Sequence, residues 1–135
     1  MSWKKEIDEL NMRKSLAQKL GGKDKIERQH ELGRLTVRER IELFFDSNSF
    51  EEIGILSGIA SYDSQNNLNN FTPSNSIIGR GLVSKRSVIF YGDDFTVRGG
   101  ASDASIWEKI IFAEKFANEY ELPLIRFIEG TGGGG

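Results

Sequence analysis

The residue types in this sequence that could do chemistry are concentrated at its glycines. A short apolar stretch, Leu124-Ile125-Arg126-Phe127-Ile128, runs through Glu129 into Gly130-Thr131-Gly132-Gly133-Gly134-Gly135. Backbone N–H groups with no side chain in the way let a developing oxyanion or a phosphate approach to hydrogen-bond distance. The same composition also makes a plain linker, and composition alone leaves both readings open. A P-loop would need Lys-Ser or Lys-Thr after its last glycine, and Gly99-Gly100 lacks the spacing of a dinucleotide fingerprint. Arg98-Gly99-Gly100 resembles a single nucleic-acid-binding repeat, but one copy in an acidic half of the chain is poor support for that function. Asp93-Asp94 has no third ligand at a recognisable spacing, so the pair reads as turn-forming carboxylates. With no cysteine and one histidine, disulfides, thiolate zinc sites, cysteine nucleophiles and multi-histidine metal sites are excluded. No metal site is expected, and His30 reads as a surface or packing residue.

These glycines must be positioned by the elements around them. Trp3, Ile7 and Leu10 recur at helical spacing, so an amphipathic helix is expected to about Leu20, ended by Gly21-Gly22. Lys23 to Glu31 forms a second, highly charged helical segment. Thr36-Val37-Arg38-Glu39 has capping-box spacing, and Val37, Ile41, Phe44 and Phe45 then make one apolar face before Asp46-Ser47-Asn48-Ser49 ends that helix. The polar run from Tyr62 to Ser76 is expected to be a long exposed loop. Ile77 to Val83 and Ser87 to Tyr91 flank Ser84-Lys85-Arg86 as a hairpin, with Gly79 and Gly81 marking a bulge or a close backbone approach. A helix capped by Ser102 or Asp103 follows, its buried face expected from Ile106, Trp107, Ile110, Ile111, Ala113 and Ala117. Trp107 is expected to pack in the core. Pro123 ends that helix, Leu124 to Ile128 is a strand, and the order is β-β-α-β.

At 135 residues the chain has the size of one globular unit. The formal charge of −2 gives no general attraction to nucleic acid. Its distribution is uneven: Lys and Arg outnumber acids before residue 41, and acids dominate after it. A basic front of this kind could meet a phosphate-bearing ligand, or its charges could pair locally on a solvated helix. No apolar run reaches the roughly 20 residues that cross a bilayer, and no signal-peptide apolar region stands at the N-terminus. A cytoplasmic protein is expected, or one of the mitochondrial matrix in a eukaryote.

Taken in order, Gly21-Gly22-Lys23, Ile26-Glu27-Arg28-Gln29-His30, Gly33 to Ile41 and Asp46 to Phe50 resemble a known N-terminal signature. It is that of the carboxyltransferase subunits of biotin-dependent acyl-CoA carboxylases, the group of the propionyl-CoA and methylcrotonyl-CoA carboxylase β chains. The resemblance continues through Gly79-Arg80-Gly81, Asp94 to Gly100, Glu108-Lys109 and Leu124-Ile125-Arg126 to the terminal glycines. It implies an α/β fold, the N-terminal part of a crotonase-like (ClpP/crotonase) ββα superhelix preceded by N-terminal helices. Residues 1–50 would be the helical segment and 51–135 the start of a truncated acyl-CoA-binding domain.

The implied reaction transfers CO2 from carboxybiotin to the α- or γ-carbon of a propionyl-, acetyl- or methylcrotonyl-type acyl-CoA. The implied oxyanion donors are the amides of Gly132 and Gly133. Arg98, Gly99, Gly100 and Ala101 match the family segment beside the CoA site, and basic N-terminal residues are implied for the nucleotide phosphates. Implied partners are acyl-CoA, a biotin carboxylase and a biotin carboxyl carrier, with biotin as the cofactor and a homo-oligomer at full length. Many family members carry Asp-Ser-Gly-Gly-Ala-Arg at the oxyanion loop, which this chain replaces with Gly130 to Gly135; the acyl group is therefore left open. Family subunits are several times longer, so the segment alone is expected to be inactive and prone to associate. The alternatives are another crotonase-fold acyl-CoA enzyme, such as a decarboxylase, and a non-catalytic module that docks on a full carboxylase.

Overall fold

Three helices open the chain: α1 (Lys4–Gln18), α2 (Lys23–Glu31) and α3 (Val37–Phe44), in a computed structural model that describes residues 2–101 and 106–130. The first two are separated where expected, with Gly22 at φ +95°, a conformation that costs glycine little. α1 does not bury the stripe read from its spacing: Trp3 is 69% exposed, and Ile7 and Leu10 are exposed as well. Its buried residue is Ala17, followed by Leu20 beyond the helix, while Glu9 and Arg13 of its middle meet the Tyr62 hydroxyl, so the side that faces the body of the protein is not the expected stripe. The capping box on α3 is present in full, with Thr36 Oγ1 accepting from the Glu39 amide and Glu39 Oε2 accepting from the Thr36 amide. Such a cap is worth about 1 kcal/mol. His30 Nε2 lies 2.9 Å from Glu39 Oε1, so this histidine links α2 to the cap of α3.

A four-stranded sheet runs in the order β1 (Glu51–Ile53), β4 (Ser76–Val83), β5 (Arg86–Asp93), β6 (Leu124–Phe127). The β4–β5 hairpin turns at Ser84-Lys85, both with positive φ, and the Asp46 carboxylate accepts both of their amides. The helix α4 (Trp107–Glu119) carries the chain from β5 to β6, which pair in parallel, so the β-β-α-β order holds. Gly79 and Gly81 mark close approaches within a continuous register. A Cβ on Gly79 would stand 2.6 Å from the Phe50 ring, and one on Gly81 would stand 2.4 Å from the Phe45 ring.

The expected loop from Tyr62 to Ser76 is instead half of a hairpin, β2 (Gly58–Tyr62) paired with β3 (Leu68–Pro73). Asp63 nucleates its turn by accepting the amides of Gln65 and Asn67. The polar residues face outward, and the single buried aromatic, Phe71, anchors a ribbon that packs along α1. Polar composition gave the wrong element because a two-stranded ribbon needs few apolar residues on one face.

Opposite faces of the sheet have separate cores. One gathers Val37, Ile41 and Phe45 of α3 and the residue after it onto Ile77, Val88 and Phe90; the other sets Ala113 and Ala117 of α4 on Ile78, Ile89 and Tyr91. The expected inward face of α4 is corrected here: Trp107 is 61% exposed and Ile111 is exposed too, while Lys109, Ala113 and Ala117 are buried. Ile110 and Phe116 pack against the same core, so the helix is turned by part of a turn from the face its apolar pattern implied. Ser102 and Asp103, read as its cap, lie outside the described residues; α4 begins at Trp107 after an extended Ile106.

Candidate functional site

The loop from Asp94 to Ala101 follows β5 directly and is held at each end. The Asp94 carboxylate, fully buried, accepts from the Thr96 amide at 2.9 Å and the Thr96 hydroxyl at 2.6 Å. Burial raises its pKa above the usual carboxylate value, opposed by those two bonds. Thr96 Oγ1 in turn accepts the Gly21 amide at 2.8 Å, which ties the end of α1 to this loop. At the far end the Ala101 carbonyl accepts from Asn75 Nδ2 at 2.7 Å. The acidic pair is thus structural in the way its spacing implied: Asp94 shapes the turn, and Asp93 accepts the Tyr91 hydroxyl at 2.5 Å and the Glu129 amide at 3.0 Å. Burial, then that bond to Asp93, pushes the Tyr91 phenol up to about 12.

Between those anchors Arg98, Gly99 and Gly100 have φ of +51°, +63° and +66°, three successive residues in the left-handed region. A non-glycine residue enters that region at a cost of roughly 1–2 kcal/mol, so Gly99-Gly100 is a conformational requirement. At Gly100 the requirement is doubled, since a Cβ there would lie 2.3 Å from the carbonyl oxygen of Glu129. The left-handed turn is therefore pressed against the end of β6. Arg98, Gly99, Gly100 and Ala101 sit beside the strand that leads into the glycine run. Gly132 and Gly133 lie outside the described residues.

Beside this turn is a cleft of about 450 Å³. Lys25 and Arg28 of α2, Arg34 of the α2–α3 link, and Arg98 of the turn line it together with Phe95, and no carboxylate is among its lining residues. The Arg34 guanidinium stands 5.9 Å from the centre of the Phe95 ring. Cations converging on a concave, partly dry surface raise the local potential for anions well above that of one exposed charge. An aromatic wall among them suits a planar base or an acyl chain. Sequence reasoning named Arg98 through the resemblance, and registered the basic front without assigning Lys25, Arg28 or Arg34 to it. The excess of Lys and Arg before residue 41 was the available signal, whereas the convergence of Arg34 and Arg98 is made by the chain path.

A second cleft, about 540 Å³, has a different character: Gln18 and Arg38 share it with Glu42 and Asp46 over the apolar Ile41 and Phe45. Among the described residues no group of three His, Cys, Asp or Glu side chains could hold a metal ion.

The carboxyl transferase domain family matches residues 28–135. The carboxyltransferase subunit of propionyl-CoA carboxylase from Haloferax mediterranei is 33% identical over 132 residues, covering 98% of this chain and 26% of that one. The alpha subunit of methylmalonyl-CoA decarboxylase from Propionigenium modestum is 32% identical over 135 residues, covering 95% and 25%. This chain thus spans about a quarter of the length of the curated relatives it matches. Among solved structures, transcarboxylase 12S with methylmalonyl-coenzyme A and methylmalonic acid bound has a TM-score of 0.80 at 24% identity, covering 99% of this chain and 26% of that one.

Proposed function

Because this chain belongs to the carboxyl transferase domain family, we propose that it is the acyl-CoA-facing start of a carboxyltransferase subunit of a biotin-dependent acyl-CoA carboxylase. Its α/β arrangement is that of the crotonase-like carboxyltransferases. In this reading residues 1–50 supply the helical wall, and residues 51–135 begin the acyl-CoA-binding domain. The observation that carries the reading is the continuity from the basic cleft, through the left-handed Arg98-Gly99-Gly100 turn, to Glu129 just after β6.

Coenzyme A is anionic at its nucleotide end and carries the reacting thioester at the other. Lys25, Arg28 and Arg34 hold the phosphates, and Phe95 offers a face to the adenine or the pantetheine arm. The turn at Arg98 to Ala101 directs the ligand toward the glycine run. There the amides of Gly132 and Gly133 donate to the thioester oxygen as it gains charge when the α- or γ-proton is lost. Removal of one such donor typically lowers the rate about 10²- to 10³-fold.

Biotin, carried on a partner, supplies the carboxyl group when bound. The larger cleft does not fit it, since Glu42 and Asp46 there would repel a carboxylate. No step through biotin is derived from this segment. The partners of this reading are a biotin carboxylase, a biotin carboxyl carrier and further copies of the chain at full length. No helix among the described residues is long and apolar enough to cross a membrane, and the compartment of this reading is the cytoplasm or the mitochondrial matrix.

Calorimetric titration of the chain with propionyl-CoA, CoA and free propionate tests this. The two CoA compounds are expected to bind with an affinity that falls as salt is raised, and propionate is expected not to bind. Arg28→Gln or Arg34→Gln should weaken CoA about tenfold, since a bond to a charged group is worth about 1.5–3 kcal/mol. CoA binding that ignores salt and both substitutions would overturn the assignment of the cleft. The Propionigenium relative supports a second reading, a decarboxylase acting on a carboxyacyl-CoA. Release of CO2 from methylmalonyl-CoA by the complete enzyme, with no carboxyl appearing on an acyl-CoA acceptor, would favour it.

A further inference from the structure

The two clefts nearest the left-handed turn share a seam. The basic cleft runs along one side of it, and a groove of about 410 Å³, bordered by Lys19, Gly22, Asn70 and Phe71, runs along the other; Lys25, Thr96 and Arg98 line both. At the seam Thr96 Oγ1 meets the Gly21 amide across 75 positions of sequence. A backbone amide nitrogen only donates, so the hydroxyl accepts there and its own proton goes to Asp94 Oδ1 at 2.6 Å. Thr96 and Asp94 are both buried, which encloses these bonds. Glycine is required at the contact, since a Cβ on Gly21 would stand 2.0 Å from the Thr96 carbonyl oxygen. Neither Thr96 nor Gly21 is charged, yet a cation follows each: Lys25 lies on the first turn of α2, shortly after Gly21, and Arg98 shortly after Thr96. Like charges repel, so cations from distant parts of the chain line one cleft where something else holds their backbones together.

We propose that Thr96 is a positioning residue for the anion cleft: its hydroxyl, oriented by Asp94, clips the α1–α2 elbow to the loop after β5 and so brings Lys25 and Arg98 to bear on one ligand phosphate. The proposal rests on the reading of the cleft as the CoA site. It adds that a neutral, buried hydrogen bond sets the affinity of that site as well as the cations themselves. Without the clip the two walls separate. A cation that moves away from a phosphate loses its attraction to distance and to salt, which screens exposed charges beyond about 8–10 Å.

The test is calorimetric titration of the full chain with CoA at low and at high salt, with urea unfolding to establish that each variant folds. Thr96→Val keeps the shape and removes the hydroxyl. It is expected to bind CoA about tenfold more weakly at low salt, as for the loss of one charge-assisted contact, and the gap from the wild type should close as salt is raised. Thr96→Ser keeps the hydroxyl and is expected to bind as the wild type does at both salts. Gly21→Ala forces the elbow off the loop from the other side and is expected to match Thr96→Val, so it carries the test if Thr96→Val does not fold. Wild-type affinity in Thr96→Val would overturn the proposal while leaving the CoA reading of the cleft intact. A loss of equal size at every salt concentration would mark Thr96 as structural and overturn it as well, as would a loss in Thr96→Ser as large as in Thr96→Val. If the wild-type chain binds no CoA, the reading of the cleft falls and this proposal with it.

Discussion

α3 and α4 cover opposite faces of one sheet with opposite kinds of residue. α3 presents Val37 and Ile41, with Phe45 just beyond it, to a face where Gly79 and Gly81 give room for the rings of Phe50 and Phe45. Phe90, wholly buried, stands among these rings with edge-on partners Phe45, Phe50 and Phe127 at centroid distances of 5.0–5.7 Å. α4 presents Ala113, Ala117 and the stem of Lys109 to its face, and turns Trp107, Ile111 and Phe112 away. That second face leaves part of the helix's apolar surface uncovered by its own sheet, although Ile110 and Phe116 do pack on it.

The largest expected effect lies in the face that α3 covers. Phe90→Ala should cost about 3–5 kcal/mol in urea-induced unfolding, because it removes a ring from the centre of a packed aromatic group. A loss of less than about 1 kcal/mol would mean that this face is loosely packed and the contrast between the two helices is false.

Next comes the buried ammonium on the other face. Lys109 is 6% exposed and donates to the Ser76 carbonyl, and burial brings its pKa from 10.5 down to about 8. The unfolded chain therefore holds that proton more tightly than the folded one. Between about pH 8 and 10.5 the unfolded state carries more protons, so stability should rise with pH, by up to about 3 kcal/mol. Urea titrations from pH 7.5 to pH 10 should show the rise in the wild type and not in Lys109→Met. Identical pH profiles for the two proteins would show that the α4 stripe is not closed over the lysine.

The smallest effect on stability is expected on the outer side of α4. Trp107→Ser should leave the unfolding free energy within about 0.5 kcal/mol, as for surface substitutions generally. Sedimentation should also show less self-association than for the wild type, since the substitution removes the largest member of an exposed apolar group. A penalty near that of Phe90→Ala would place Trp107 in a core.

Much of this organisation was legible in the order of residues. The capping box, the α3 face, the Gly21-Gly22 stop, the β4–β5 hairpin and the crossover to β6 each depend on neighbours a few positions apart. The misreadings came where the deciding partner is distant. The β2–β3 ribbon reads as loop until Phe71 is set against α1, and Trp107 reads as core until the rotation of α4 on the sheet leaves it outside. For the site, the glycine run could be singled out from residue type, and Arg98 to Ala101 through the family resemblance. Phe95, Arg34 and Thr96 could not, because their pairings span tens of positions.

By itself the sequence determined the chemistry available: backbone amides and basic side chains, with neither thiol nor histidine cluster. It also determined the local conformations that glycine, threonine and proline impose through sterics and short hydrogen bonds. Only the tertiary structure decided which of those groups meet. Gly100 is pressed onto the carbonyl of Glu129, 29 positions away, and Gln29 reaches the same residue across 100 positions. Closing contacts of that length is a property of the packed sheet and its two covering layers. No local pattern encodes it, because the free energy that holds those residues together comes from the burial of others.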